Sequence, residues 1–353
     1  MLIIYTDKKH YDPKSRSYLP DILRPFIPSN RLVEFSLDQD KIAITDNIES
    51  ADICMLPFAW NYYAKSGKIE YVDNFIQNAN KYNKKTIVWC FGDRYINVNR
   101  ANTLVFRHSS YASIRQNNEY VLPVFIRDPL EFLKLDGIYI RNKNPKPSLG
   151  FCGQSDKLLL QTILKINYRI LNKLKYKLSK SSWNPRYILP PTFFRRKILD
   201  DLGSNKDIEC NFIINSLYKG RHFFKKYNER ESRGVFYNNI NSNDYTVCIR
   251  GGGNFSTRFY EVLALGKIPI FIDTDCILPL DDIIKWKKHC NWIDINEKNN
   301  VIDLVQKFHS NLNDIDFISM QKNNRKLWEE HLSYIGYFNN FPKLIMKNIK
   351  ESN

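Results

Sequence analysis

Short apolar runs, each followed by a polar turn and then a helical repeat, recur from one end of this chain to the other. Leu2–Tyr5, residues 31–35 and residues 53–57 read as strands, residues 86–91 as a buried strand and residues 102–106 as a further one. Val72, Phe75, Ile76 and Ala79 fall at helical spacing and predict a helix over residues 71–82. Alternation of this kind predicts an α/β protein with a doubly wound parallel sheet. A polar stretch with two prolines, Arg141-Asn142-Lys143-Asn144-Pro145-Lys146-Pro147, reads as a linker, so one domain is expected over residues 1–145. The second, residues 146–335, opens with a strand at 148–153, and residues 157–182 are mostly helical. After a loop at 185–191 come a helix at 193–202, strands at 208–214, 245–249 and 268–272, and helices at 301–308 and 317–335.

The densest chemistry lies in Cys248-Ile249-Arg250-Gly251-Gly252-Gly253-Asn254-Phe255-Ser256-Thr257-Arg258-Phe259-Tyr260-Glu261. A strand runs into three glycines, and an amphipathic helix starts at Asn254 or Ser256 and closes at Gly266. Bare amides before a helix N-terminus are how a backbone binds phosphate, because the N–H groups and the helix dipole both favour an anion. Arg258 in the first turn opposes that dipole and so calls for a nearby anion, which a diphosphate would supply. Glu261, three residues on, can accept hydrogen bonds from ribose hydroxyls. The plainer alternative is a surface Arg258–Glu261 pair behind a flexible turn. The candidate nucleotide-phosphate-binding set is therefore Arg250, Gly251, Gly252, Gly253, Asn254, Ser256, Thr257, Arg258 and Glu261.

Ser256-x-Arg258-x-x-Glu261, Gly266-x-Ile268-Pro269 and Leu278-Pro279-x-x-x-Ile283-x-x-Trp286 together resemble the signature of the exostosin family of glycosyltransferases. Ala51-Asp52-Ile53-Cys54-Met55-Leu56-Pro57-Phe58, Val121-Leu122-Pro123 and Leu149-Gly150-Phe151-Cys152-Gly153 stand in the family's order. The resemblance implies a GT-B fold: two Rossmann-like domains facing a cleft, the second holding a nucleotide-sugar donor. It also implies a UDP-sugar and inversion at the anomeric carbon; the acceptor is expected to be a glycan or lipid-linked glycan. In such folds the chain end crosses back to the first domain, a role open to the segment 336–353. Animal members carry a membrane anchor and a second module; this chain is expected to be a single soluble, cytoplasmic catalytic module.

Composition agrees. With 353 residues, 43% apolar and 14% aromatic, the chain can bury two cores. Seven cysteines stand at 54, 90, 152, 210, 248, 276 and 290 without a C-x-x-C pair, which points to free thiols rather than a metal or disulfide pattern. The net charge of +16 arrives without any nucleic-acid recognition motif. The denser basic stretches, 165–180 and 186–197, suit docking on anionic lipid headgroups near a lipid-linked acceptor.

Inverting transfer needs a base for the acceptor hydroxyl. Asp93, in the turn Gly92-Asp93-Arg94 after a strand, fits a similar family position, although an aspartate there could simply cap its turn. Asp7 and His10 follow, then His108 and Asp128; Arg230 and Arg233 could assist Arg258. Asp273-Thr274-Asp275 could be a metal-binding DxD. Its place after the glycine loop, which can neutralise phosphates unaided, favours metal-independent transfer with no cofactor. Gly251-Gly252-Gly253 lacks the G-x-G-x-x-G spacing of a dehydrogenase. A non-catalytic nucleotide-sugar- or glycan-binding protein on the same fold stays open.

Overall fold

A computed structural model describes residues 1–38, 40–155, 159–178, 185–215 and 229–350. The first sheet holds β1 (Leu2–Tyr5), β2 (Ile42–Thr45), β3 (Ile53–Met55), β4 (Thr86–Cys90), β5 (Thr103–Arg107) and β6 (Glu119–Val121). Every pairing is parallel, in the order β2-β1-β3-β4-β5-β6. Strand periodicity splits its residues between two cores. Cys54, Val88, Cys90 and Val105 face α1 (Trp60–Ser66) and α2 (Ile69–Lys81), where Val72, Phe75, Ile76 and Ala79 are buried. Ile53, Met55, Ile87, Trp89, Leu104 and Phe106 point to the other face.

The second sheet holds β7 (Ser148–Gln154), β8 (Glu209–Asn215), β9 (Tyr245–Cys248), β10 (Ile268–Asp273) and β11 (Asn291–Asp294), all parallel, in the order β11-β10-β9-β7-β8. The helices are α3 (Pro129–Leu133), α4 (Leu159–Lys177), α5 (Pro191–Gly203), α6 (Glu229–Asn241), α7 (Thr257–Ala264), α8 (Val301–Asn311), α9 (Asp314–Leu327) and α10 (Tyr334–Lys350). Phe259, Val262 and Leu263 of α7 pack on Cys248 and Phe271. On the opposite face, Ile198 and Leu202 of α5 and Val305 of α8 pack on Val247, Ile270 and Ile293. Tyr337, Phe338, Phe341 and Ile345 of α10 lie in the first sheet's core against Trp89 and Phe106, so the last helix belongs to the first domain. Two doubly wound Rossmann-like domains joined in this way form the GT-B architecture.

Several elements differ from the sequence reading. Residues 31–35 form a turn rather than a strand: Phe35 N–H donates to the Arg31 carbonyl, Leu32 is buried and Val33 is 77% exposed. The neighbouring strand is β2, an edge strand buried only at Ile42 and so without an apolar run to mark it. The chain also crosses earlier than residue 145. Leu122 is still in the first core, while Val124, Ile126 and α3 already pack on the second. Asp128 clamps that crossing with a two-bond pair to Arg325, at 2.9 and 2.6 Å. The helix expected over 317–335 breaks at Ser333, whose hydroxyl accepts the Gly336 N–H and caps α10. The edges of the helix expected over 157–182 lie outside the described residues. No helix among the described residues is long and apolar enough to cross a membrane.

Candidate functional site

Both sheets share one winding pattern, and the strand order reverses between β1 and β3 in the first and between β7 and β9 in the second. Ligands of doubly wound sheets lie beyond the carboxyl ends of the strands at such a reversal. Cys152 and Gly153 end β7 there, and Arg250 to Gly253 follow β9. Gly251 N–H donates to the Phe255 carbonyl at 3.0 Å and closes the loop.

Arg258 occupies the first turn of α7, with its guanidinium 4.2 Å over the Phe151 ring and Nη2 donating to the Cys152 carbonyl at 2.6 Å. Gly153 makes room for it, since a Cβ there would fall 2.5 Å from Nη2. Burial pulls the Arg258 pKa below its ordinary value, against opposing pulls from Cys248, Glu261 and Cys152. Arg250 is 7% exposed and lies between the rings of Tyr111 and Tyr187, at 5.6 and 5.3 Å. Its Nη2 donates to Tyr111 Oη at 3.2 Å. Arg250 Nε and Nη1 and Arg258 Nε are buried and bond to no other group among the described residues. Each such donor costs roughly 1–3 kcal/mol, more when charged, so the pair of guanidiniums beside the glycine amides is short of an anion.

Arg195 of α5 was not singled out by the sequence, because it sits inside a basic run. It is 8% exposed and donates from Nη1 to the Gln154 carbonyl and from Nη2 to the Arg250 carbonyl, tying β7 to β9 across the reversal. Glu261 is 4% exposed and already paired: its Oε1 accepts from Arg233 Nη1 at 2.8 Å. Burial raises the Glu261 pKa, while Arg233 and Arg258 hold it down. Arg230 is exposed at the start of α6. Ser256 is buried at the N-cap position of α7 without a side-chain capping bond, and Thr257 is exposed.

Asn254 serves the domain interface. Its backbone N–H donates to Ser109 Oγ, its Nδ2 to the carbonyls of Ser110 and Asp275, and its Oδ1 accepts from Thr274 Oγ1. Those bonds hold the glycine loop against the end of β5. They also bring the loop to Asp93, which follows β4 and Gly92 (φ +89°) and is exposed. A Cβ on Gly252 would collide with Asp93 Oδ2, and one on Gly253 would lie 3.0 Å from Asp93 Cα. A mutual pair of bonds between Phe91 and Asn61, at 2.7 and 3.0 Å, fixes the turn that carries Asp93. A cavity of about 230 Å³ opens between the domains, lined by Tyr95, Asn97, Tyr111, Ile114, Tyr176 and Arg186 among others; Asp93 and the glycine loop are not in its lining.

The remaining candidates have other partners. Asp7 Oδ2 accepts from Tyr71 Oη at 2.9 Å, and the His10 ring stacks on Tyr71 at 3.9 Å, with burial lowering the His10 pKa. These two sit at the first sheet's own reversal, after β1. Asp128 is consumed by Arg325 and by the Leu130 N–H that it caps. Burial pushes His108 down to about 4. Asp273 Oδ1 accepts the Cys276 N–H at 2.7 Å. The Asp275 carboxylate accepts both the Ser113 N–H and the Ser113 hydroxyl from the first domain. No cluster of three or more His, Cys, Asp or Glu side chains suited to a metal converges among the described residues.

No protein-family model matches the chain, and no curated protein matches it. Among solved structures, the crystal structure of TarM is 12% identical and covers 80% of this chain and 57% of its own, with a TM-score of 0.29. The pneumococcal O-GlcNAc transferase GtfA, in complex with UDP and GlcNAc, is 9% identical and covers 91% of this chain and 58% of its own, with a TM-score of 0.31. The chain thus spans less than two thirds of the length of either.

Proposed function

We propose that this protein is a glycosyltransferase that moves a sugar from a nucleotide-sugar, a UDP-sugar by its resemblance to the exostosin signature, to a glycan or lipid-linked glycan. The observation that carries the reading is the close approach of Asp93 to the glycine loop, its carboxylate against Gly252 and its Cα against Gly253. It unites an anion-seeking loop in one domain with a general-base candidate in the other. The donor diphosphate lies along the Gly251–Gly253 amides and the N-terminus of α7, and satisfies the open N–H groups of Arg250 and Arg258. Asp93 takes the proton of the acceptor hydroxyl, whose oxygen then bonds to the anomeric carbon from the face opposite the diphosphate. The bond from that carbon to the diphosphate oxygen breaks, the electron pair leaves with the diphosphate, and the configuration inverts. Arg258, Arg250 and the loop amides balance the growing charge. Because Asp273 and Asp275 already accept hydrogen bonds from Cys276 and Ser113, the reading assigns them no metal.

A thermal-shift screen of UDP-, GDP- and CMP-sugars tests the donor. A ligand at 100 times its dissociation constant stabilises by about 2.7 kcal/mol, and UDP-sugars should give the shift. No shift with any nucleotide-sugar would overturn the proposal. A shift with no hydrolysis or transfer from the donor would leave a binding protein instead.

A further inference from the structure

The helix α4 carries its apolar side outward. At 3.6 residues per turn, Ile163, Leu164, Ile170, Leu171 and Leu174 of the helix, with Leu178 just past its end, fall within an arc of about 120° that includes one polar residue, Asn167. Leu164 is 68% exposed, Leu171 56%, Leu174 52% and Leu178 66%. The side that packs on the domain is the other one, where Thr162 is buried and Ile166 and Arg169 are half-buried. A surface helix of a globular protein normally does the reverse. The charge is equally one-sided: the helix has Lys165, Arg169, Lys173, Lys175 and Lys177 and no carboxylate. Lys177 flanks one edge of the apolar arc and Lys175 the other, Lys173 lies further round beyond Lys177, and all three are exposed.

We propose that α4 docks the protein on an anionic lipid surface, lying in the plane of the headgroups with its leucines in the acyl boundary. An exposed apolar arc edged by lysines, on a helix too polar to span, is the arrangement such helices need. The charge distribution excludes a second copy of the same helix as occupant, because the flanking lysines would face one another. The position of α4 ties docking to the cleft. Arg94 Nη2, one residue beyond Asp93, bonds Tyr168 Oη at 3.3 Å, and Arg169 Nη1 bonds the Tyr187 carbonyl at 2.8 Å. Tyr176 of α4 lines the cavity between the domains. Docking therefore brings the Asp93 turn, and the cavity on the inner side of α4, to within one helix diameter, about 10 Å, of the headgroups. If the transferase reading holds, this geometry selects a lipid-linked acceptor over a free glycan.

The test is sedimentation of the purified chain with vesicles. Phosphatidylcholine vesicles containing about 30% phosphatidylglycerol should bind it at least tenfold better than phosphatidylcholine alone, with the difference shrinking as salt rises. Leu171→Glu with Leu174→Glu should abolish binding, and Lys173→Glu or Lys177→Glu should weaken it about fivefold each. These side chains are exposed, and an unchanged far-ultraviolet circular dichroism spectrum verifies the folds. Equal binding to both vesicles, or a leucine variant that binds like the parent, overturns the proposal. So does a dimer in sedimentation velocity that the leucine variant dissolves, with no vesicle binding by the parent. Donor shifts measured on the same samples keep the two readings apart: vesicle binding without a nucleotide-sugar shift defeats the transferase and leaves the docking helix standing.

Discussion

The carboxylate of Asp93 occupies the space that a side chain on Gly252 would need. Gly252 has no left-handed φ to protect, so its constraint is this close approach between two domains and not backbone strain. Gly252→Ala should therefore fold. Its methyl group must push Asp93 and the loop apart, and a displacement near 1 Å from reacting geometry costs on the order of 10²-fold in rate. We expect turnover to fall by that order with little change in Tm. Gly137→Ala, where a Cβ meets nothing within 4 Å, is the control and should keep full activity.

Asp93→Asn separates chemistry from binding. The residue approaches the loop from the first domain and its charge lies beside the proposed diphosphate site, so removing that charge should not weaken UDP binding in calorimetry. Loss of a general base typically costs roughly 10²–10⁴ in turnover. Full turnover in the variant would move the search to Asp7 and His10, which stand at the first sheet's own reversal point and share Tyr71.

Arg258 is held over Phe151 by a geometry that suits a guanidinium: one nitrogen on the Cys152 carbonyl, the group 4.2 Å from the ring centre, another nitrogen open to an anion. Arg258→Lys should lose donor binding and turnover together, by at least tenfold, because an ammonium cannot serve the carbonyl and the diphosphate at once. Parental donor affinity in the Lys variant would make Arg258 a structural residue.

The glycine loop, Arg250, Arg258 and Glu261 were legible because they are contiguous, and a strand, a glycine turn and a helix start each leave a local signature. What the sequence could not supply was partnership. Glu261 reads as an open acceptor until the fold brings Arg233 across to it from α6. Asn254 reads as a loop ligand until Ser109 and Ser110 arrive from the other domain. Arg195 was invisible for the same reason, since its burial depends on two strand ends that meet only in the folded sheet. The parallel strands themselves were legible where buried throughout, as in β4 and β9, and missed at the half-exposed edge, as in β2.

Lys267 offers a pH test. It is 1% exposed, its ammonium donates to the Tyr139 carbonyl, and burial, with Arg141 nearby, lowers its pKa to about 7 although Asp244 pulls the other way. The unfolded value is about 10.4. Between these two values the unfolded chain holds a proton that the native one has released, so this group's contribution to stability rises with pH across that window. Below pH 7 its penalty is fully present. In urea titrations Lys267→Met should therefore gain on the parent by up to a few kcal/mol at pH 6, and the gain should fade toward pH 10. A difference independent of pH would mean that Lys267 stays charged in the fold.

The pair Asp273 and Asp275 decides between two accounts of how the diphosphate is held. A metal site needs at least one of the two carboxylates turned to the ligand. Here Asp273 closes its own turn on the Cys276 N–H, and Asp275 reaches over to the N–H and hydroxyl of Ser113, with Arg186 at 3.7 Å. Asp275 thus fastens the two domains. Asp275→Asn should weaken that fastening by roughly 1–3 kcal/mol, the cost of losing a charged acceptor for two donors, and lower Tm by a few degrees. Donor binding should persist, because Arg250, Arg258 and the loop amides supply the positive field. EDTA should change neither donor affinity nor turnover in the parent. Activity lost in EDTA and restored by Mn²⁺, together with loss of donor binding in Asp275→Asn, would assign the pair to a metal and transfer the phosphate-holding role away from the arginines.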